Sequence, residues 1–192
     1  MRIVELTDIP EHRVAETLLR ESNPPGRPAP VTSDLMRALA HAGNYVAGAW
    51  DGSELAGIAL AVHAADDASA PVLHAHTTVV AAGYRRRGIG AALMAHQRAW
   101  ASARGLGTTT WLLDPLQRGA VAFSLGRLGA ALRTYHCDFD GPGQDRCQVA
   151  WDLVRQPAHD TDRPTGEIPV ALDRSPDGAP RLLGLPPRGP LR

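Results

Sequence analysis

Short apolar runs and stretches with three-to-four-residue apolar spacing alternate along this chain. Met1 to Thr7 carries Ile3, Val4 and Leu6 and predicts a short strand. Asp8 with Glu11 three residues on reads as a capping box, and Pro10 fits a first helical turn. Val14, Leu18 and Leu19 then predict a helical stripe. NPPGRPAP, Asn23 to Pro30, breaks that helix, and a second one is expected over Ser33 to His41, with Leu35, Met36 and Leu39 on one face. Tyr45–Trp50 and Leu55–Val62 read as strands joined through Asp51-Gly52, a strong hairpin signal. A turn over Asp66 to Pro71 leads to a strand over Val72 to Val80. Ile89, Leu93, His96 and Trp100 fall at helical spacing before Gly105 and Gly107. Thr108–Leu113 reads as a buried strand and Val121–Leu128 as a short helix closed by Gly129. Leu132–Phe139 and Cys147–Leu153 read as strands joined by DGPGQD. The order predicts a mixed α/β domain, antiparallel early, with a strand–helix–strand crossover in the middle.

Composition narrows the field. The formal net charge is zero and the pI about 7.1, which speaks against a general nucleic-acid binder. Lysine is absent, so every fixed side-chain cation is an arginine. Two cysteines, Cys137 and Cys147, are too few for a disulfide framework and read as reduced thiols that could face each other across the last hairpin. No His/Cys/Asp cluster has metal-ligand spacing. Without a leader pattern or a membrane-length apolar run, the expectation is a soluble cytoplasmic protein.

The chemistry concentrates at YRRRGIGAA, Tyr84 to Ala92. A strand ends, a turn with Gly88 and Gly90 follows, and an amphipathic helix begins. First-turn amides and the helix dipole attract an anion, and glycines let it approach the backbone. Arg85, Arg86 and Arg87 add positive charge. Taken alone, the motif fits a basic capping loop equally well. A Walker A loop is excluded because there is no lysine, and a dinucleotide fingerprint lacks its third glycine, Leu93 standing there.

Arg85-x-x-Gly88-x-Gly90 after a strand ending at Val80 resembles motif A of the GNAT superfamily of acyl-CoA-dependent N-acyltransferases. The blocks LHAHTTVVAAGYRRRGIGAAL, WLLDPLQ, FSLGRLGA and VAWDL are similar, in order and spacing, to a subgroup of GNAT acetyltransferases. The resemblance covers roughly Val46 to Leu153 and implies the GNAT fold: a mixed central sheet with a splayed pair of parallel strands and helices on both faces. It implies acetyl-CoA or another acyl-CoA as co-substrate. The pyrophosphate would lie on the amides of Arg86 to Ala91, within a cofactor-binding set of Thr78, Val79, Val80, Arg85, Arg86, Arg87, Gly88, Ile89, Gly90, Ala91 and Phe123. A bulge around Thr78 to Val80 would pair with the pantetheine arm, and an acyl slot would open beside Thr109 to Asp114.

The implied reaction is direct attack of an amine on the thioester, which needs a base and gains from an acid. Period-two alternation puts His74, His76 and Thr78 on one strand face, with His76 better placed as base and the alternative a hydrogen-bonded structural histidine. Asp114 stands at a strand end as a second candidate, although Asp before Pro115 also suits a turn. The tyrosine that many GNAT enzymes carry as acid is replaced by Leu125, and a familiar asparagine by Ala120. Tyr135 is the substitute acid, with a half-buried strand aromatic as the alternative, and Asp140 stands where relatives often have tyrosine.

The chain thus reads as an acyltransferase domain over 1–155 and a Pro/Gly-rich extension over 156–192, loosely docked or partly disordered, with one strand over Glu167–Leu172. The implied partners are a small-molecule amine and coenzyme A, with a homodimer allowed and no nucleic acid or membrane. The acyl group is acetyl or larger, such as succinyl. A non-catalytic acyl-CoA sensor and an accessory protein of a biosynthetic cluster stand as the alternatives.

Overall fold

A computed structural model describes residues 1–23, 29–66, 68–154, 168–174 and 180–185. Most of the NPPGRPAP loop, one residue of the Asp66–Pro71 turn and much of the extension lie outside these. The chain forms two compact units, Met1–Gly107 and Thr108–Arg192.

The first unit holds β1 (Arg2–Glu5), α1 (Ile9–Ser22), α2 (Ser33–His41), β2 (Tyr45–Asp51), β3 (Glu54–Ala65), β4 (Pro71–Val80) and α3 (Ile89–Ser102). Its strands pair antiparallel in the order β1-β2-β3-β4. Helices cover both faces. Ala15, Leu18, Leu19 and Met36 of α1 and α2 pack with Val46, Ile58 and Leu60 on one face. On the other, α3 is pinned by Tyr45, whose buried hydroxyl shares a 2.9 Å hydrogen bond with His96 Nδ1. The Trp100 indole donates to Glu5 at 2.9 Å.

Local chemistry explains the helix starts. The Glu11 carboxylate accepts from the amides of Thr7 and Asp8 at 3.1 and 3.3 Å, as the capping box requires. Thr32 caps α2 by accepting from the Leu35 amide, and Glu16 of α1 accepts from the Ser33 amide at 2.8 Å. The apolar stripes sit differently from the sequence reading. Val14 and Leu35 are exposed at the stripe edges, and α1 buries His12 and Ala15 in its seam.

The Glu16 bond makes a pH prediction. Hydrogen bonds from Ser33 hold this carboxyl below its ordinary range. A depressed folded value means the contribution is present above the unfolded value and is lost as pH falls through the folded one. Thermal melts of Glu16→Gln and the parent should differ at neutral pH, and the gap should start to close only as pH falls below the ordinary glutamate value of about 4.3. A constant gap would remove the helix-tying role.

The second unit holds β5 (Thr108–Leu113), α4 (Arg118–Val121), β6 (Ala131–His136), β7 (Arg146–Asp152), β8 (Ile168–Arg174) and β9 (Pro180–Leu185). Its strands pair antiparallel in the order β5-β7-β6, with β8 and β9 as a separate hairpin. Two features differ from expectation. The helix starts at Arg118 and continues as a π-helix over Ala122–Arg127. β9 follows β8 in the extension, where the sequence pattern predicts one strand. Among the described residues, no helix is long and apolar enough to cross a membrane.

Candidate active site

In the first unit the candidate residues follow β4 to its end. Leu60 pairs with Thr77 and Ala61 with Ala75, so His76 is the extra residue of a β-bulge. The bulge therefore lies two residues before the expected Thr78–Val80, and it breaks the alternation. His74 is opposite Val62, which packs on the α1–α2 core, whereas Thr78 is opposite Ala59 and its hydroxyl meets Met94 Sδ of α3 at 3.7 Å. His74 and Thr78 thus occupy opposite faces, because a bulge inserts one residue into a period-two pattern. His76 is exposed and His74 half-buried. Burial, and secondarily the nearby His76, pushes His74 below the ordinary histidine range, which suits a neutral structural imidazole.

Val79 packs on the α1–α2 core opposite Ile58, and Val80 is opposite Gly57. A 3₁₀ turn over Ala82–Tyr84 follows, tied down by the Tyr84 hydroxyl donating to Glu54 at 2.6 Å. That bond pushes the Tyr84 phenol up to about 12. Arg86 and Gly88 are both left-handed, with φ of 61° and 84°, and curl the backbone into the start of α3. The conformation favours glycine at 88 and costs Arg86 about 1 kcal/mol. Arg85 Nε donates to the Val80 carbonyl at 3.2 Å, and the Arg87 guanidinium lies over the Tyr84 ring at 5.1 Å. Two of the three arginines thus brace the turn itself, and Arg86 is exposed.

Among the described residues no side chain caps α3, and its first turn has no acidic residue. The Gly88 carbonyl takes the Ala92 amide at 3.0 Å, leaving those of Ile89, Gly90 and Ala91 as first-turn donors. Space around them is open. A Cβ on Gly88 would meet nothing within 4 Å, and one on Gly90 only Val80 Cγ2 at 3.8 Å. First-turn amides at the positive end of a 14-residue helix are an arrangement that can attract an anion.

Gly57 supports this turn and was missed from sequence. A Cβ there would stand 2.9 Å from the Val79 carbonyl oxygen, 3.1 Å from Leu93 Cδ1 and 3.3 Å from Ile89 Cγ2. The available signal is a glycine inside a strand, which marks close approach of another element.

In the second unit the register gathers several candidates at one sheet end. Leu113 pairs with Cys147, and Cys147 with Tyr135, so Asp114 follows directly at the same end. Asp114 makes an Asx turn, accepting from the Leu116 amide at 2.9 Å, with the Gln117 side chain at 3.5 Å. Tyr135 donates its hydroxyl proton to Asp145, a residue the sequence reading took only as part of a turn. Asp140 pairs with Arg146 at 2.5 Å. Phe123 is half-buried in the π-helix, beside buried Ser124, which accepts from the Trp111 indole at 3.1 Å. Leu125 is buried apolar filling.

Cys147 does not face Cys137. It is buried opposite Tyr135, while Cys137 is exposed, and both are free thiols. Burial, then Asp145 and Asp114, push the Cys147 thiol up to about 11, which places both carboxylates within electrostatic reach of one sulfur.

The profile of the acetyltransferase (GNAT) family matches residues 12–129. Solved structures share the fold at low identity. The ribosomal-protein-S18-alanine N-acetyltransferase of Escherichia coli is 17% identical, with a TM-score of 0.65 over 82% of this chain and 97% of that one. The aminoglycoside 6'-N-acetyltransferase of Enterococcus faecium is 17% identical, with a TM-score of 0.64 over 82% and 99%. An aminoglycoside 6'-N-acetyltransferase in complex with coenzyme A is 16% identical, with a TM-score of 0.65 over 82% and 99%. No curated protein sequence matches the chain.

Proposed function

Because the chain belongs to the GNAT acetyltransferase family, whose co-substrate is acetyl-CoA, we propose that it transfers an acetyl group, or a larger acyl group such as succinyl, to a small-molecule amine. The observation that carries this reading is the uncapped start of α3, entered through left-handed Gly88. The amides of Ile89, Gly90 and Ala91 would hold the diphosphate of coenzyme A, and Arg86 would add charge without fixed geometry. Thr78, Val79 and Val80 at the end of β4 complete the part of the proposed cofactor-binding set that lies in the first unit.

The acceptor nitrogen attacks the thioester carbon directly, and the C–S bond breaks with its electron pair leaving on sulfur. An amine that arrives as ammonium must first lose a proton. The groups offered for that transfer are His76 at the bulge, and Asp114 and Tyr135 at the end of the β5-β7-β6 sheet. The neighbours are named for acceptors as different as a ribosomal-protein alanine and an aminoglycoside, so the fold does not choose among amines.

Free-thiol release tests the reading. Purified protein is mixed with acetyl-, succinyl- and longer acyl-CoAs against an amino-acid amide, a polyamine and an aminoglycoside. The chain has no lysine, so no side-chain amine of its own competes. Release with at least one donor–acceptor pair is expected. Coenzyme A binding without release for any pair would favour an acyl-CoA sensor instead.

A further inference from the structure

The tyrosine that opens YRRRGIGAA donates its hydroxyl to Glu54, a residue with no assigned part in the site. We propose that Glu54 and Tyr84 are positioning residues of the cofactor turn: the carboxylate acts through the phenol to set the Arg87 guanidinium and the local backbone before the coenzyme A diphosphate arrives. This rests on the reading of that turn as the coenzyme A site.

The backbone ties of the turn weaken along its length. The Ala81 amide donates to Ala56 of β3 at 2.9 Å, and the Tyr84 amide to Ala81 at 2.9 Å. The next tie, from the Arg85 amide to the Ala82 carbonyl, is already long at 3.4 Å. Beyond it the chain passes through left-handed Arg86 and Gly88. A left-handed residue other than glycine persists only where its surroundings impose it.

Side chains supply that constraint from β3. Glu54 opens the strand and is the cross-strand partner of Asp51, so it stands on a closed hairpin. Its carboxylate accepts the Tyr84 hydroxyl at 2.6 Å, a short charge-assisted bond. The segment therefore hangs from Glu54 and Ala56 of one strand. The phenol, pushed up to about 12 by this bond first, keeps its proton at neutral pH; the Asp51 charge adds to the effect and Arg87 opposes it. Donation to a carboxylate leaves the ring more electron-rich, and the Arg87 guanidinium lies over that ring at 5.1 Å. A guanidinium stacked on a ring face keeps its N–H donors in its own plane, where an anion can take them. Glu54, Tyr84 and Arg87 thus form a relay from the hairpin to the residue before Gly88. Glu54 and Arg87 are exposed, and exposed charge contacts add little to stability. What the relay secures is the shape of the turn and the place of one guanidinium, which is preorganisation for a ligand.

The test uses the full chain and calorimetric titration with coenzyme A and with dephospho-coenzyme A, which keeps the diphosphate and lacks the ribose phosphate. Tyr84→Phe keeps the ring and removes the bond. It should weaken both ligands about tenfold, with the melting temperature unchanged. Glu54→Gln, which still accepts the hydroxyl but carries no charge, should fall between the parent and Glu54→Ala. Tyr84→Phe combined with Glu54→Ala should bind no more weakly than Glu54→Ala alone, because the two act as a unit. With acetyl-CoA and an accepting amine, Tyr84→Phe should raise the donor KM about tenfold and leave kcat within about twofold. In the ligand-free protein, the ring-current shift of the labelled Arg87 side chain should shrink in Tyr84→Phe and in Glu54→Ala.

Parent affinity in Tyr84→Phe overturns the proposal, as does a loss of affinity matched by a lower melting temperature. A loss confined to coenzyme A, with dephospho-coenzyme A unaffected, overturns it in favour of a contact to the ribose phosphate. A parent protein that binds neither ligand overturns the reading of the turn and this proposal together. A parent that binds both, with affinities indifferent to Glu54 and Tyr84, overturns this proposal alone.

Discussion

Gly90→Val should lose coenzyme A binding by at least about a hundredfold while the protein stays folded. Two losses of charge-assisted hydrogen bonds, at about 1.5 to 3 kcal/mol each, suffice for that factor. The fold itself has no objection to a side chain there. A Cβ would make only an ordinary contact with Val80 Cγ2 at 3.8 Å. The obstruction falls on the ligand, because the new side chain stands between the end of β4 and the first-turn amides of α3. Gly90→Ala sharpens the test. Replacing a helical glycine by alanine should raise apo stability by about 0.5 to 1 kcal/mol while weakening the ligand. Opposite signs in melting and in titration calorimetry identify a glycine kept for its ligand. Unchanged coenzyme A affinity in the valine variant would end the assignment of the turn.

Gly57→Ala should behave in the opposite way, lowering stability and binding together. The new Cβ would stand 2.9 Å from a backbone carbonyl oxygen, that of Val79, which cannot rotate aside as a side chain can. Leu93 and Ile89 close the remaining space at 3.1 and 3.3 Å. Overpacking of this kind costs about 2 kcal/mol, or roughly 4 to 8 °C in melting temperature for a chain of this length. Relief comes by moving β4 or lifting the start of α3, and these are the two flanks of the turn. Coenzyme A affinity should therefore fall even in protein that remains folded. Gly83→Ala is the control, since its Cβ would meet nothing within 4 Å and its φ is not left-handed. A Gly57→Ala melt matching the control would show that the contact relaxes freely.

What the sequence made legible was local. α2 and β5 have the expected bounds because Thr32 caps the one and β-branched threonines open the other. The turn was legible because its signals, Gly88 just before α3 and Gly90 in its first turn, lie close together in the sequence after the end of β4. What escaped depends on pairing at a distance. The His76 bulge is defined by β3, and nothing in HAHTTVV marks the surplus residue. Gly57 matters through Val79, Ile89 and Leu93, and Asp145 through Tyr135, each on another element. Val14 and Leu35 have the right period for burial, but their places on the wheel put them at the solvent edge. The N-terminal start of α4 and its π-helical continuation carry no strong local signal at all.

The bulge also sets how this strand tolerates changes in length. On either side of His76 the inward and outward rows of β4 are each regular, but they are offset by one position. Removing any residue of the flanking rows would turn part of the strand inside out, sending threonines toward the core or valines toward α3. Excising His76 alone would leave every partner across β3 where it stands. The residue that can be deleted without scrambling the sheet is thus the one proposed above as a base, and the strand carries that histidine as an inserted guest within a frame already complete.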